Sequence, residues 1–150
     1  MSSIVAVHPI VASGYLCRVV ETSLGHLCGY VTVPPAHPWW GLDYYDEVVV
    51  PQEILERPIS PDTIGAINAF CALLDGAPNA NAFKICYAID VHGGLTFAQQ
   101  TDIGWTFGFD CHHSGDAQTP YDEDAYSVYR DYDYVASHVK SLAAQLRTFA

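Results

Sequence analysis

Gly14-Tyr15-Leu16-Cys17-Arg18-Val19-Val20-Glu21 and His26-Leu27-Cys28-Gly29-Tyr30-Val31-Thr32-Val33 decide how this chain is read. Both runs are rich in β-branched and aromatic residues, which suit a pleated, half-buried surface. Ser23-Leu24-Gly25 between them can turn the chain, so the pair reads as a β-hairpin. Pro34-Pro35 closes the second strand, because proline has no amide proton to give a ladder.

Working outward, Ala36 to Asp46 is aromatic and irregular (His37-Pro38-Trp39-Trp40-Gly41-Leu42-Asp43-Tyr44-Tyr45) and reads as an ordered loop packed on the domain. Ser60-Pro61-Asp62 is a helix start, with a capping hydroxyl, proline at the first helical position and an acid in the first turn. Ile64, Ile67, Phe70, Cys71 and Leu74 then recur at helical spacing as far as Gly76-Ala77-Pro78. Phe83 to Val91 and Gly104 to Phe109 read as strands, with Leu95 to Ala98 continuing the first beyond two glycines. Val135, Val139, Leu142, Ala143 and Leu146 define one face of a C-terminal helix. The expected fold class is α+β: a mainly antiparallel sheet with one central helix and one C-terminal helix, as a single domain over residues 1–150.

The charges are lopsided: 6 Lys and Arg against 17 Asp and Glu, a formal net of −11. Long-range repulsion from phosphate argues against direct nucleic-acid binding, which needs a basic surface. An acidic surface instead attracts a basic protein partner, or a basic groove that normally holds nucleic acid. It also simply keeps an aromatic-rich chain dissolved. The 5 cysteines, at positions 17, 28, 71, 86 and 111, include no Cys-x-x-Cys pair, so neither a disulfide framework nor a zinc ribbon is expected. Charges interrupt every long apolar run, and no signal-peptide pattern opens the chain. The expectation is a cytoplasmic, reduced protein with no membrane partner.

Two Asp/His clusters carry the candidate chemistry. In Asp90-Val91-His92-Gly93-Gly94, strand alternation would place Asp90 and His92 on one face, next to a bend at the glycines. In Gly108-Phe109-Asp110-Cys111-His112-His113-Ser114-Gly115-Asp116, Asp110 and His112 share parity, and His113 and Asp116 lie in the turn beyond. Asp90, His92, Asp110, His113 and Asp116 would be the catalytic set of a metal-dependent hydrolase, with the histidines ligating metal or relaying protons. Asp90, His92, Asp110 and His113 are the candidate ligands of a divalent metal, although their spacing fits no zinc signature and no cofactor is otherwise expected. The competing structural readings are that Asp90 and His92 bond to each other or to loop backbone at a sheet edge, and that Asp110 and Asp116 hold backbone amides in an Asx turn with the histidines at its rim. Cys111 reads as a packing residue, since a histidine next to it along a strand points away. There is neither a Gly-x-Ser-x-Gly elbow nor a phosphate-binding glycine loop.

A third feature lies just beyond. Tyr121, Asp122, Glu123, Asp124, Tyr126, Tyr129 and Asp131 interleave phenols with carboxylates, a surface suited to a basic, arginine-rich partner.

The chain resembles a family of small bacteriophage- and prophage-encoded proteins. The resemblance lies in Gly25-His26-Leu27-Cys28-Gly29-Tyr30-Val31 with His37-Pro38, in Val91-His92-Gly93-Gly94-Leu95-Thr96, and in Gly108 through Asp116. The helix carrying Tyr134-Val135 and Leu142-Ala143 completes it, so the resemblance spans most of the chain from residue 25 onward. His113 matches the family's histidine, whereas His112, Trp39-Trp40 and the long Ser60 helix depart from the pattern. The resemblance implies an accessory protein acting by binding: an anti-CRISPR-like inhibitor of a host defence protein, or a protein sequestering a defence nucleotide signal.

Overall fold

The computed structural model describes residues 3–49, 82–113, 115–121 and 127–150. Its centre is a five-stranded antiparallel sheet in the order β1 (Ile4–Ala12), β2 (Tyr15–Thr22), β3 (Leu27–Val33), β7 (Gly104–Asp110), β6 (Phe97–Thr101). Two small ladders lie beside it, β4 (Glu47–Val49) with β5 (Ala82–Lys84) and β8 (Asp116–Ala117) with β9 (Val128–Tyr129). The described helices are a single turn, α1 (Ile85–Ala88), and the long C-terminal α2 (Tyr132–Thr148). The fold class is therefore α+β.

Local chemistry sets the hairpins. Ser13 and Gly14 both have positive φ (52° and 80°) between the paired Ala12 and Tyr15. That is the two-residue connection whose twist matches the strands it joins. The expected β2–β3 hairpin forms, with Glu21 opposite Leu27, and the Thr22 amide donates to the His26 carbonyl at 3.1 Å.

Alternation then divides the sheet into two faces. Tyr15, Cys17, Val19, Leu27, Val31, Val33, Phe107 and Phe109 belong to the core, against which α2 buries Val135, Ala136, Val139, Leu142, Ala143 and Leu146. Gly29 lets the helix approach: a Cβ there would stand 2.5 Å from both Phe109 and Val139. At the far end of α2, His37 Nε2 meets the Leu146 carbonyl at 2.7 Å and Trp39 stacks on Phe149 at 4.4 Å, which docks the aromatic loop on the domain. The opposite face carries Val20, Thr22, Cys28, Tyr30, Thr106 and Asp110, alternating with the core positions.

β1 is a strand that no periodicity marks, and one expectation needs revision. The strand expected from Phe83 to Val91 is β5, one turn of helix and an extended segment, so Asp90 and His92 do not share a strand face. Ile85-Cys86-Tyr87-Ala88 is fully buried, and an apolar run of that length has no periodicity to separate strand from helix. The helix expected from Ser60 lies outside the described residues.

Candidate functional site

The two Asp/His clusters do converge, but around different partners than their spacing suggests. β7 ends at Asp110, and the chain turns through Cys111 to Gly115 into β8. That turn lies against the loop after α1 and the first turns of α2, because Asp116, His92, Tyr134 and His138 are bonded across it.

Asp116 is the hub. Its side chain is 1% exposed, and its Oδ2 lies 2.9 Å from His92 Nε2 and accepts the His113 amide at 3.0 Å. Its Oδ1 accepts Arg130 Nε at 3.0 Å. Burial pushes this carboxyl up, but His92, the His113 amide and Arg130 outweigh it and hold the group below the ordinary carboxylate value. A buried charge is tolerable only when paired and fully hydrogen-bonded, and Asp116 meets both conditions.

His92 is occupied on both ring nitrogens. With Nε2–H donated to Asp116, Nδ1 is left to accept from the Tyr134 hydroxyl at 2.7 Å. The His92 amide donates to His138 Nδ1 at 3.1 Å. This requires an unprotonated Nδ1, in keeping with burial pushing the His138 imidazole below its ordinary value. Arg130 lies over the Tyr134 ring at 4.9 Å, closing the network with a cation–π contact.

Asp110 and His113 form a second, more open pair, with side chains 34% and 31% exposed. His113 Nε2 is 3.0 Å from Asp110 Oδ1, but its N–H is off that line, so the contact is a close ion pair rather than an aligned hydrogen bond. Burial pushes Asp110 up, but His113, the His112 amide and His26 hold it down to about 2, and Asp110 in turn raises His113. Gly93, with φ +68°, sits directly beneath the His113 ring: a Cβ there would lie 2.5 Å from Cδ2 and Nε2. The glycine of the first cluster thus admits the histidine of the second.

Asp90 joins neither pair through its side chain. Gln145 clamps its backbone instead, donating to its carbonyl and accepting from its amide, both at 2.8 Å. Among the described residues, no three His, Cys, Asp or Glu side chains are placed to hold a metal ion. Cys111 is buried, and burial pushes its thiol well up, away from the reactive thiolate.

The acidic tyrosine segment is split. Asp122, Glu123, Asp124 and Tyr126 lie outside the described residues. Tyr121 is almost fully exposed, whereas the Tyr129 hydroxyl donates to the Gly25 carbonyl at 3.2 Å and Asp131 caps α2 through the Tyr134 amide at 2.9 Å. Spacing alone did not single out Arg130, Tyr134 or His138 as partners of the clusters. The one local signal was Tyr134 and His138, four residues apart on one helix face.

Above Asp110, on the face turned away from α2, a concavity of about 330 Å³ is lined by Thr22, His26, Tyr30, Thr96, Phe97 and Asp110, among others. His26 leans on His112 with ring centroids 4.6 Å apart. Comparison of the chain with protein-family models, with curated proteins and with solved structures gives no match.

Proposed function

We propose that this chain is a phage-encoded accessory protein that acts by binding, as an inhibitor of a bacterial defence protein whose basic groove it occupies in place of nucleic acid. The observation that carries the reading is the pairing of a net charge of −11 with a His–Asp centre that satisfies itself. A catalytic base needs a free lone pair within reach of substrate. His92 has none to spare, since both ring nitrogens are engaged and the residue is buried.

The polar centre is then a fastening of α2 to the β7–β8 turn, and the exposed carboxylates form the working surface. Asp43, Asp46, Glu47, Asp102, Asp131 and Asp133 are exposed, as are Tyr45 and Tyr121. Such a surface accelerates encounter with a basic partner and makes that encounter sensitive to salt.

The test is capture from host cells followed by competition. The captured protein should carry a basic nucleic-acid groove, and its own nucleic acid should displace this chain stoichiometrically. Simultaneous binding of both would refute the groove reading. For the hydrolase alternative, the described residues supply no ligand set for a metal.

A further inference from the structure

The concavity on the sheet face turned away from α2 has the chemistry to recognise one part of a basic partner. Its lining includes the Asp110 carboxylate and contains no lysine or arginine. Oδ1 of Asp110 is taken by the His112 amide at 3.1 Å and by His113, while Oδ2 has only the Thr96 hydroxyl, at 3.4 Å. Among the described residues, one oxygen of this lining carboxylate therefore keeps acceptor capacity.

His26 supplies a second acceptor. The Thr22 hydroxyl donates to the His26 carbonyl at 3.0 Å, so the 3.2 Å contact between that hydroxyl and Nδ1 is made by an Nδ1–H donor. Nε2 is then an acceptor, in keeping with burial pushing the ring's proton affinity below its ordinary value. Tyr30 and Phe97 form the aromatic wall, edge to face at 5.2 Å. Arg18, opposite Tyr30 in the β2–β3 register, is engaged with Asp102 at 3.5 Å.

We propose that this concavity, framed by Asp110, His26, Thr96, Tyr30 and Phe97, receives an arginine side chain of the basic protein partner. A guanidinium is planar, stacks on aromatic faces and carries five N–H donors in a fixed fork, which suits separated acceptors beside an aromatic wall. An ammonium would satisfy the charge but not the stack. A phosphate or carboxylate ligand would meet the Asp110 carboxylate with no lysine or arginine in the lining to pair with it. The inference rests on the binding reading given above and refines it to one side chain.

The test uses N-acetyl-arginine amide as probe, with N-acetyl-citrulline amide as its uncharged isostere, followed by NMR of the Tyr30 and Phe97 rings and of the backbone amides around Asp110. Saturable shifts confined to these residues are expected for the arginine probe, with citrulline at least about tenfold weaker, as loss of a charge-assisted hydrogen bond implies. Asp110→Asn should remove the response. Because that substitution also frees His113, Thr96→Lys serves as the second variant, placing an ammonium at the exposed rim to fill the site without disturbing the core. Equal binding of citrulline, undiminished binding by folded Thr96→Lys, or shifts located elsewhere would each overturn the assignment. If the arginine probe fails while a basic partner is still captured and displaced by nucleic acid, only the pocket is wrong. If the probe binds but no such partner exists, the pocket stands and the inhibitor reading falls.

Discussion

His92 and Asp116 meet at 2.9 Å in the interior, joining the loop after α1 to the β8 strand across 24 residues of sequence. Around that contact Arg130, Tyr134 and His138 close a network in which Asp116 and both His92 ring nitrogens have partners. It fastens the loop after α1 and the β7–β8 turn to α2, and that linkage has consequences for stability.

Removing the hub should be costly. Asp116→Ala leaves Arg130 and His92 without their common acceptor, and loss of one member of a buried ion pair costs about 3–5 kcal/mol. Asp90→Ala should stay within about 0.5 kcal/mol, because Asp90 is held through its backbone by Gln145. Urea unfolding of the two variants checks the contrast. Equal losses would mean that the sequence-level grouping of the two acids was the correct one.

Gly93 should resist substitution for two separable reasons. Its φ of +68° strains any L side chain, and a Cβ would run into His113. Gly93→Ala should cost more than Gly41→Ala, where φ is +84° but nothing lies within 4 Å of the added carbon. The backbone part alone is about 1–2 kcal/mol. In a His113→Ala background the excess at Gly93 should disappear, and thermal unfolding of the double variant measures this.

The histidines should titrate on opposite sides of 6.5, their ordinary value. His113 is raised by Asp110, while His26 and His138 are lowered by burial. The raised His113 adds stability that is full below 6.5 and is lost as pH climbs through its folded value. The lowered His138 and His26 add stability that is present above 6.5 and is lost as pH falls through theirs. Asp110, held at about 2, adds stability that is present above its ordinary value of 3.8 and is lost between there and about 2. A histidine NMR titration reads each group directly, and Asp110→Asn should return His113 toward 6.5. An unchanged His113 in that variant would contradict the pairing.

Much of this was legible in the residues themselves, and the gaps have physical causes. The β2–β3 hairpin and α2 announced themselves because one face of each is buried, which imposes period 2 on one and period 3.6 on the other. β1 is an edge strand with Pro9 inside it and exposed residues on both faces, so no alternation marks it. Asp110, His113 and Asp116 were found because a tight turn keeps them together. Arg130, Tyr134 and His138 reach the same place only through the packing of α2, which local spacing does not encode. Asp90 lies elsewhere than strand alternation predicts, because the buried run before it makes a turn of helix.

In the proposed binding role, the acidic surface and not the buried His92–Asp116 centre meets the partner. The direct measurement is the association rate with the captured partner across a range of ionic strengths, for the native chain and for Asp122→Lys/Glu123→Lys/Asp124→Lys. Steered association falls steeply with salt and changes by tenfold or more when the steering charges are reversed, on the order of the 10–10³ range such fields produce. A steep salt slope is expected for the native chain, flattening in the triple variant, with His113→Ala retaining the native slope. A rate that is indifferent to salt and to charge reversal would contradict it.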